Sequence, residues 1–478
     1  MLFNSVEFVL FFIIITSLYF LVPHRLRWIL LLAGSYYFYI SCQSEYIILI
    51  IINTIVNYFC AIQIGKIKDE SRRKLYLIGS ISISLGLLFF FKYFNFFNDS
   101  IGELFKFFAL PYHIPTFKLL LPIGISFYTF QTLSYLIEVY RRKQEPEQNL
   151  AIFALYVSFF PSLLAGPIGR PNQLLPQFYE EKRWDFDRIV SGLRLMLWGL
   201  FKKVVIADRL AFIANTVFGH PHDHGGLSLI IAAYCFSFQI YCDFSGYSDM
   251  AIGCARVLGY DLMENFRLPY FSKTLTEFWR RWHISLSTWL RDYLYISLGG
   301  NRGSKYRNYL NLMITMLLGG LWHGANWTFI IWGALHGTFL IFSKITLSYR
   351  DMFVERFKIN KTLVNISRIF FTFHLITLSW IFFKANSAGD ALYMITKIGH
   401  DLLHPSLLSL ETRNIPLFIP SLLIGLLLSI QFIQARQNFW IFLDKRSTFL
   451  RWSFYYLLIF GIILLGLDES INFVYFQF

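Results

Sequence analysis

Charged residues are scarce in this chain of 478 residues. They make up 15% of the sequence, against 56% hydrophobic and 19% aromatic residues. Soluble globular domains carry about 25% charged residues. The apolar residues also fall in long runs, of which 8–22 is the first. The lack of charge therefore excludes a soluble enzyme and indicates a polytopic membrane protein.

Cysteine and nucleotide-binding signatures are also lacking. The five cysteines form no CxxC pair, which argues against a disulfide framework or a zinc ribbon. We expect them to be small buried side chains. No GxSxG elbow, P-loop or GxGxxG motif occurs. Serine hydrolases, ATP-driven pumps and dinucleotide enzymes therefore lose their clearest signals.

Basic residues outnumber acidic ones by 43 to 29, for a net charge of +14. They concentrate in short segments between apolar runs, as at 66–74 and 141–143, and at Arg25 and Arg27. Short basic loops stay cytoplasmic. The charge therefore predicts topology, with the N-terminus outside, rather than a nucleic-acid surface. The first run follows no basic residues, which predicts an uncleaved first helix.

The apolar runs predict a helical bundle with about ten to twelve spans. No internal repeat, low-complexity tract or soluble domain is visible, so we expect one membrane-embedded domain over 1–478, with a motif-bearing core at 110–345 and further helices at 346–478. The segments 150–168 and 243–260 are ambiguous. The predicted spans lie near 7–22, 28–42, 46–64, 75–93, 118–139, 190–206, 227–242, 309–322, 326–345, 364–384, 415–433 and 452–467.

A weakly hydrophobic, tryptophan-rich stretch lies between two of these spans, at 264–308. Its centre, 276–304, has apolar residues at three- and four-residue spacing, which predicts a helix. Thr276 is the expected cap, and Gly299 with Gly300 the expected end. Basic residues beside Trp and Tyr suit a membrane interface or a partly inserted helix.

His323 lies in "LLGGLWHGANW" (317–327), a stretch otherwise apolar enough for a membrane. A buried imidazole needs a hydrogen bond, and an ionisable group at membrane depth is a functional-site hypothesis by default. The flanking glycines permit close helix approach or leave room for substrate. A purely structural histidine remains the alternative. Close in sequence to His323, Asn326 supplies a hydrogen-bond donor and Trp327 an apolar wall.

Other polar residues have weaker patterns. His283 falls on the apolar stripe of the tryptophan-rich helix, which favours interfacial packing over catalysis. His336 is out of register with His323 on one helix, so a structural role is expected. The loop 219–226, "GHPHDHGG", favours a solvated loop over a weak metal site.

Two carboxylates fall in "CDFSGYSDMAIG" (242–253), namely Asp243 and Asp249. Buried carboxylates need partners, and Arg280 and Arg281 are the candidates.

Five long motifs, taken together, resemble the successive motifs of the membrane-bound O-acyltransferase superfamily. The terminal "INFVYFQF" resembles the ending of its bacterial alginate O-acetyltransferase branch. The resemblance implies an all-α polytopic membrane fold of about eleven transmembrane helices plus re-entrant segments. The motifs are "LPIGISFYTFQTLSYLIEVYR" (121–141), "FFPSLLAGPIGRP" (159–171), "QIYCDFSGYSDMAIG" (239–253), "FWRRWHISLSTWLRDYLYISLGGNRGS" (278–304) and "GGLWHGANWTFIIWGALHG" (319–337).

Carried over by motif position, the resemblance makes His323 the histidine of a narrow tunnel and His283 the second polar signature. The activity it implies is transfer of acetyl groups from cytosolic acetyl-CoA to an extracytoplasmic polysaccharide or peptidoglycan. It also implies a bacterial inner-membrane location and a periplasmic partner protein, with no bound cofactor or metal. The expected substrate-contacting residues are Asn326, Trp322, Trp279, Trp282, Arg281 and Asp243.

Two alternatives stay open at this point. The same superfamily also moves other cargo, such as D-alanine to teichoic acid or a fatty acyl group to a lipid or protein. A non-enzymatic transporter with His323 in its path is the other alternative, although transporters commonly show internal repeats that this sequence lacks.

Overall fold

The computed structural model describes residues 1–117, 120–404, 417–466 and 473–474. All regular structure within these ranges is helical, with 21 α-helices and no strand. Six helical stretches of the described residues are long and apolar enough to cross a membrane, the longest being His24–Lys66 with 43 residues. The predicted all-α, multi-pass membrane fold is therefore confirmed.

Many of these helices begin at a side chain suited to capping. A Ser, Thr, Asp or Asn oxygen accepts a backbone N–H that lacks a partner within the first turn. The sequence therefore fixes these starts locally. The capping residues are Ser5, Asp69, Asn149, Thr274, Ser304, Asn326, Asn360, Ser387, Asn438 and Ser447.

The described chain divides into two compact units, one made of 1–196 with 250–263 and the other of 197–249 with 264–478. The first unit contains α1 to α9 and the first part of α10. These helices are α1 (Val6–Leu21), α2 (His24–Gln43), α3 (Ile47–Lys66), α4 (Glu70–Leu88), α5 (Phe94–Phe107), α6 (Ile125–Tyr140), α7 (Leu150–Ser158), α8 (Phe160–Leu163), α9 (Pro171–Leu174) and α10 (Phe186–Phe201).

Buried amides and hydroxyls join three helices of the first unit. Asn53 Nδ2 of α3 donates to Thr132 Oγ1 of α6 at 3.0 Å. Asn57 Nδ2 donates to Ser84 Oγ of α4, also at 3.0 Å. Such hydrogen bonds hold apolar helices together where hydrophobic burial cannot.

The second unit contains the rest of the chain and most of the tryptophans. Its large core is built mainly from aromatic and aliphatic side chains of α10 to α13 and of α16 to α21. The helices are α11 (Asp208–Gly219), α12 (Gly226–Leu258), α13 (Leu275–Arg281), α14 (Ile284–Trp289), α15 (Lys305–His323), α16 (Trp327–Arg356), α17 (Lys361–Lys384), α18 (Ala388–Leu403), α19 (Phe418–Gln434), α20 (Phe439–Asp444) and α21 (Thr448–Leu465).

The two ambiguous segments have different outcomes. Residues 243–258 continue α12, so this helix is 33 residues long rather than ending near 242. The segment 150–168 breaks at Phe159 into the short helices α7 and α8. The number of spans and the single domain over 1–478 stay predictions. Residues 118–119, 415–416 and 467, at the edges of three predicted spans, lie outside the described residues.

The tryptophan-rich stretch is not the single helix that its periodicity predicts. Thr274, not Thr276, caps it by accepting the backbone N–H of Glu277. The chain then leaves the helix at Trp282 and His283 and re-enters it as α14, which continues into a π-helical turn at 290–295. Periodicity misses this break because the break preserves the burial of Trp282 and His283.

Candidate active site

His323 is the last residue of α15, and it is 3% exposed. Its ring lies edge-on to three aromatic rings of the second unit. The centroid distances are 5.1 Å to Trp322, 5.1 Å to Trp332 of α16 and 5.3 Å to Phe383 of α17. The predicted burial of His323 is confirmed. The surrounding rings give the imidazole an apolar environment.

His283 also contacts the Trp322 indole, with ring centroids 5.8 Å apart. It is fully buried and precedes α14. Its Nδ1 is 3.1 Å from Oδ1 of Asn265, and its ring meets Phe244 of α12 edge-on at 4.5 Å. Trp322 therefore connects the two imidazoles that the sequence selected.

The predicted tryptophans form a continuous layer around these rings. Trp282 is fully buried and packs against Trp380 of α17 at 5.1 Å. Trp380 stacks on Trp332 at 5.6 Å, and Trp279 of α13 meets Trp332 edge-on at 5.7 Å.

Asn326 and Arg281 have structural partners. Asn326 is exposed and caps α16, since its Oδ1 accepts the Thr328 backbone N–H at 2.9 Å. Arg281 pairs with Glu277 one turn earlier on α13, at 2.6 Å. Substrate contacts for these two residues therefore stay predictions.

The predicted pairing of Asp243 with Arg280 or Arg281 is wrong. Lys203, on the π-helical turn 202–207 that follows α10, lies 2.7 Å from Asp243 and 2.9 Å from Asp208. Asp243 Oδ2 also accepts the backbone N–H of Val474 at 2.7 Å. The sequence suggested Arg280 and Arg281 because they lie in a neighbouring motif. In the fold, α12 places Asp243 beside Lys203 instead.

The described part of the C-terminal motif consists of Phe473 and Val474, and the rest of "INFVYFQF" lies outside the described residues. Both residues are buried at 2% exposure. Phe473 stacks on Tyr247 at 4.7 Å and meets Phe244 at 5.8 Å. This end of the chain thus packs on the same face of α12 as His283.

The remaining histidines have other surroundings. His336 is fully buried, with Nε2 2.9 Å from Ser379 Oγ and its ring 4.6 Å from Trp332. His222, in the loop 219–226, lies 3.3 Å from Asp390 and over the Tyr393 ring at 4.0 Å. Among the described residues, no group of three or more His, Cys, Asp or Glu could hold a metal ion.

Sequence reasoning missed Asn265 and Lys203. Asn265 lies just before the tryptophan-rich helix, in a segment without regular structure, and its contacts depend on the turn at His283. Lys203 interrupts an apolar run. A lysine inside such a run indicates a buried ionic partner, and this signal could have identified it.

These features define a class of protein, namely a helical membrane protein with two buried histidines surrounded by aromatic side chains. The family model of the membrane-bound O-acyltransferases (MBOAT) matches residues 142–385 of this chain. A probable alginate O-acetylase of Azotobacter vinelandii is 43% identical over 82% of this chain and 76% of that protein. The Pseudomonas aeruginosa protein of the same description is 43% identical over 81% and 72%.

A peptidoglycan O-acetyltransferase of Helicobacter pylori is 37% identical over 76% of this chain and 72% of its own length. The chain belongs to the membrane-bound O-acyltransferase family, in its alginate O-acetylase-like branch. It is therefore an O-acyltransferase, and the transporter alternative loses its basis. A teichoic acid D-alanyltransferase of Bacillus subtilis is more distant, at 29% identity over 57% and 71%.

Proposed function

We propose that this chain passes acetyl groups from cytosolic acetyl-CoA across the bacterial inner membrane, for O-acetylation of an extracytoplasmic polysaccharide or of peptidoglycan. The names of the relatives support acetyl transfer to such glycans. The observation that carries the proposal is the burial of His323 among Trp322, Trp332 and Phe383. We expect the N-terminus outside, and a periplasmic protein as partner.

In this proposal His323 is the general base. Its neutral ring takes the proton of the acceptor hydroxyl as the hydroxyl oxygen attacks the thioester carbonyl carbon. The carbon–sulfur bond then breaks, and the leaving CoA thiolate takes that proton and becomes the free thiol. General-base catalysis contributes about 10²–10⁴-fold.

The aromatic layer has two roles in the proposed reaction. It keeps the imidazole neutral, because a low dielectric disfavours the charged form. It also keeps water from the thioester, so that acetyl reaches the acceptor rather than being hydrolysed. Trp322, Trp279 and Trp282 are the proposed chamber walls, while His283 is the second polar group.

The test measures acetate released by mild alkali from purified glycans and from peptidoglycan of the same cells. The strains are the wild type, a deletion, His323→Ala and the control His404→Ala. His404 is an exposed histidine that accompanies His400 on α18, outside the aromatic chamber. Immunoblots of membranes confirm equal protein levels.

We expect the deletion and His323→Ala to lose the same ester while His404→Ala keeps it, and the depleted glycan then identifies the acceptor. Retention of ester in His323→Ala would overturn the base assignment but not the acyltransfer. The same alkaline extract is assayed for D-alanine. If the deletion loses esterified D-alanine and keeps acetate, the transferred group is D-alanine rather than acetyl.

A further inference from the structure

Asn265 gathers three donors on one side-chain oxygen. Its Oδ1 accepts the backbone N–H of Ser285 at 3.1 Å and the hydroxyl of Ser285 at 3.0 Å. It also lies 3.1 Å from Nδ1 of His283. All three residues are buried at 0% exposure, and Asn265 is 18 positions before His283.

The identity of each atom in this cluster follows from donor and acceptor chemistry. A backbone N–H only donates, so the atom that receives the Ser285 N–H must be the amide oxygen of Asn265. The amide nitrogen then faces the other way, where it donates to Ser248 Oγ at 3.1 Å. The Ser285 hydroxyl lies 3.5 Å from Nδ1 of His283 but closer, at 3.0 Å, to the Asn265 oxygen, to which it donates. Because a carbonyl oxygen only accepts, the contact between Asn265 Oδ1 and His283 Nδ1 assigns the proton to Nδ1.

We propose that Asn265 is a positioning residue that fixes His283 as the Nδ1–H tautomer, so that Nε2 is a hydrogen-bond acceptor at the site of acetyl transfer. A neutral imidazole has one N–H, and here Asn265 receives it. His283 in this form cannot donate to the thioester carbonyl. It acts as a proton acceptor or orients a hydroxyl, rather than polarising the carbonyl.

The backbone supports the same role for Asn265. His283 has φ of 44°, in the left-handed region that non-glycine residues rarely adopt. The carbonyl of Asn265 accepts the N–H of Ile284 at 2.9 Å, directly after this residue. Asn265 thus holds residues 283 to 285 through its main chain and its side chain. Strain maintained by such contacts is characteristic of functional sites.

The charged residue next to Phe244, a ring that contacts His283, has a partner of its own. Phe244 of α12 meets the imidazole edge-on, and its neighbour Asp243 is paired with Lys203. Phe266 and Trp322 also contact the imidazole. Of the side chains near Nδ1 of His283, Asn265 is the closer at 3.1 Å, and the Ser285 hydroxyl lies at 3.5 Å.

The inference deepens the proposed function and rests on it, so one test is made independent of activity. Nitrogen-15 NMR of full-length protein with labelled histidine, in lipid bilayers, reports which ring nitrogen is protonated. The signals absent from His283→Gln belong to His283. We expect a protonated Nδ1 and an unprotonated Nε2. The reverse pattern would overturn the inference whether or not the protein transfers acetyl.

The second test follows acetyl transfer from radiolabelled acetyl-CoA in membrane vesicles as a function of pH. We expect Asn265→Leu to lower the rate about 10–100-fold, as loss of an orienting partner typically does. Asn265→Asp keeps the accepting oxygen and should restore part of the rate. Its carboxylate stabilises the protonated imidazole, so the acid limb of the profile should move to higher pH.

One variant serves as a matched control. Asn311→Leu removes a buried amide that donates to the Gly300 carbonyl at 3.0 Å. It should keep the wild-type pH profile. An unchanged rate and profile in both Asn265 variants, with the wild type active, would overturn the inference alone. An inactive wild type would overturn the proposed function.

Discussion

Gly320 of α15 and Gly333 of α16 lie directly against one another. A Cβ on Gly320 would stand 3.2 Å from the Cα of Gly333 and would overlap the carbonyl oxygen of Phe329. A Cβ on Gly333 would in turn overlap the carbonyl oxygen of Met316. Of the two uses predicted for glycines near His323, Gly320 and Gly333 provide the close helix approach.

Gly320→Ala should therefore destabilise the protein and reduce acetyl transfer, because His323 follows three residues later. Overpacking of this kind costs about 1–3 kcal/mol. The measurement is thermal unfolding of purified protein in detergent, together with glycan-bound acetate. Gly425→Ala is the matched control, since a Cβ there meets nothing within 4 Å. Equal behaviour of the two variants would contradict the proposed contact.

Lys203→Met should be strongly destabilising. The substitution leaves Asp208 and Asp243 buried without the cation that lies 2.9 and 2.7 Å from them. Removing one partner of a buried pair costs about 3–5 kcal/mol. Chemical or thermal unfolding in detergent measures the change. Arg281→Met breaks a more exposed pair with Glu277 and should cost no more than about 1 kcal/mol. A similar loss of unfolding free energy in both variants would contradict the expectation that the buried pair contributes more to stability.

Trp322→Leu should uncouple CoA release from ester formation. The indole contacts the rings of both His283 and His323, and its removal admits water to the acyl group. We expect transfer to fall about tenfold, equivalent to 1.4 kcal/mol in barrier height, while acetyl-CoA hydrolysis rises. Free thiol and glycan-bound acetate are measured in the same vesicles. Trp452→Leu, at an exposed position on α21, should change neither.

Asp401 of α18 should contribute to stability only above acidic pH. Its hydrogen bond with His400, together with the N–H of Gly226 and Lys397, lowers the pKa of this carboxyl to about 2. Because the folded pKa lies below the unfolded value of about 3.9, the stabilisation is complete well above pH 4 and is lost as the pH falls toward 2.

The difference in unfolding temperature between the wild type and Asp401→Asn should thus be constant from pH 5 to 7 and shrink below pH 4. Thermal unfolding in detergent at a series of pH values measures it. A difference that grows toward low pH would reverse the assigned sign.

The sequence by itself determined the class of protein and predicted the burial of His323. Long apolar runs with little charge require a membrane, since they cannot be covered in water. A histidine between tryptophans in such a run is unusual enough to select His323, and the long motifs select the family. Capping residues such as Asn326 also fix helix starts from local chemistry alone.

The tertiary structure decided which distant groups meet. The partner of Asp243 is Lys203 rather than an arginine of the motif, because the π-helical turn at 202–207 and α12 bring them together. The break at His283 interrupts a periodic pattern without exposing its apolar stripe, so periodicity alone could not reveal it. The tautomer of His283 depends on Asn265, and a hydrogen bond between residues 18 positions apart requires the turn that only the folded chain forms.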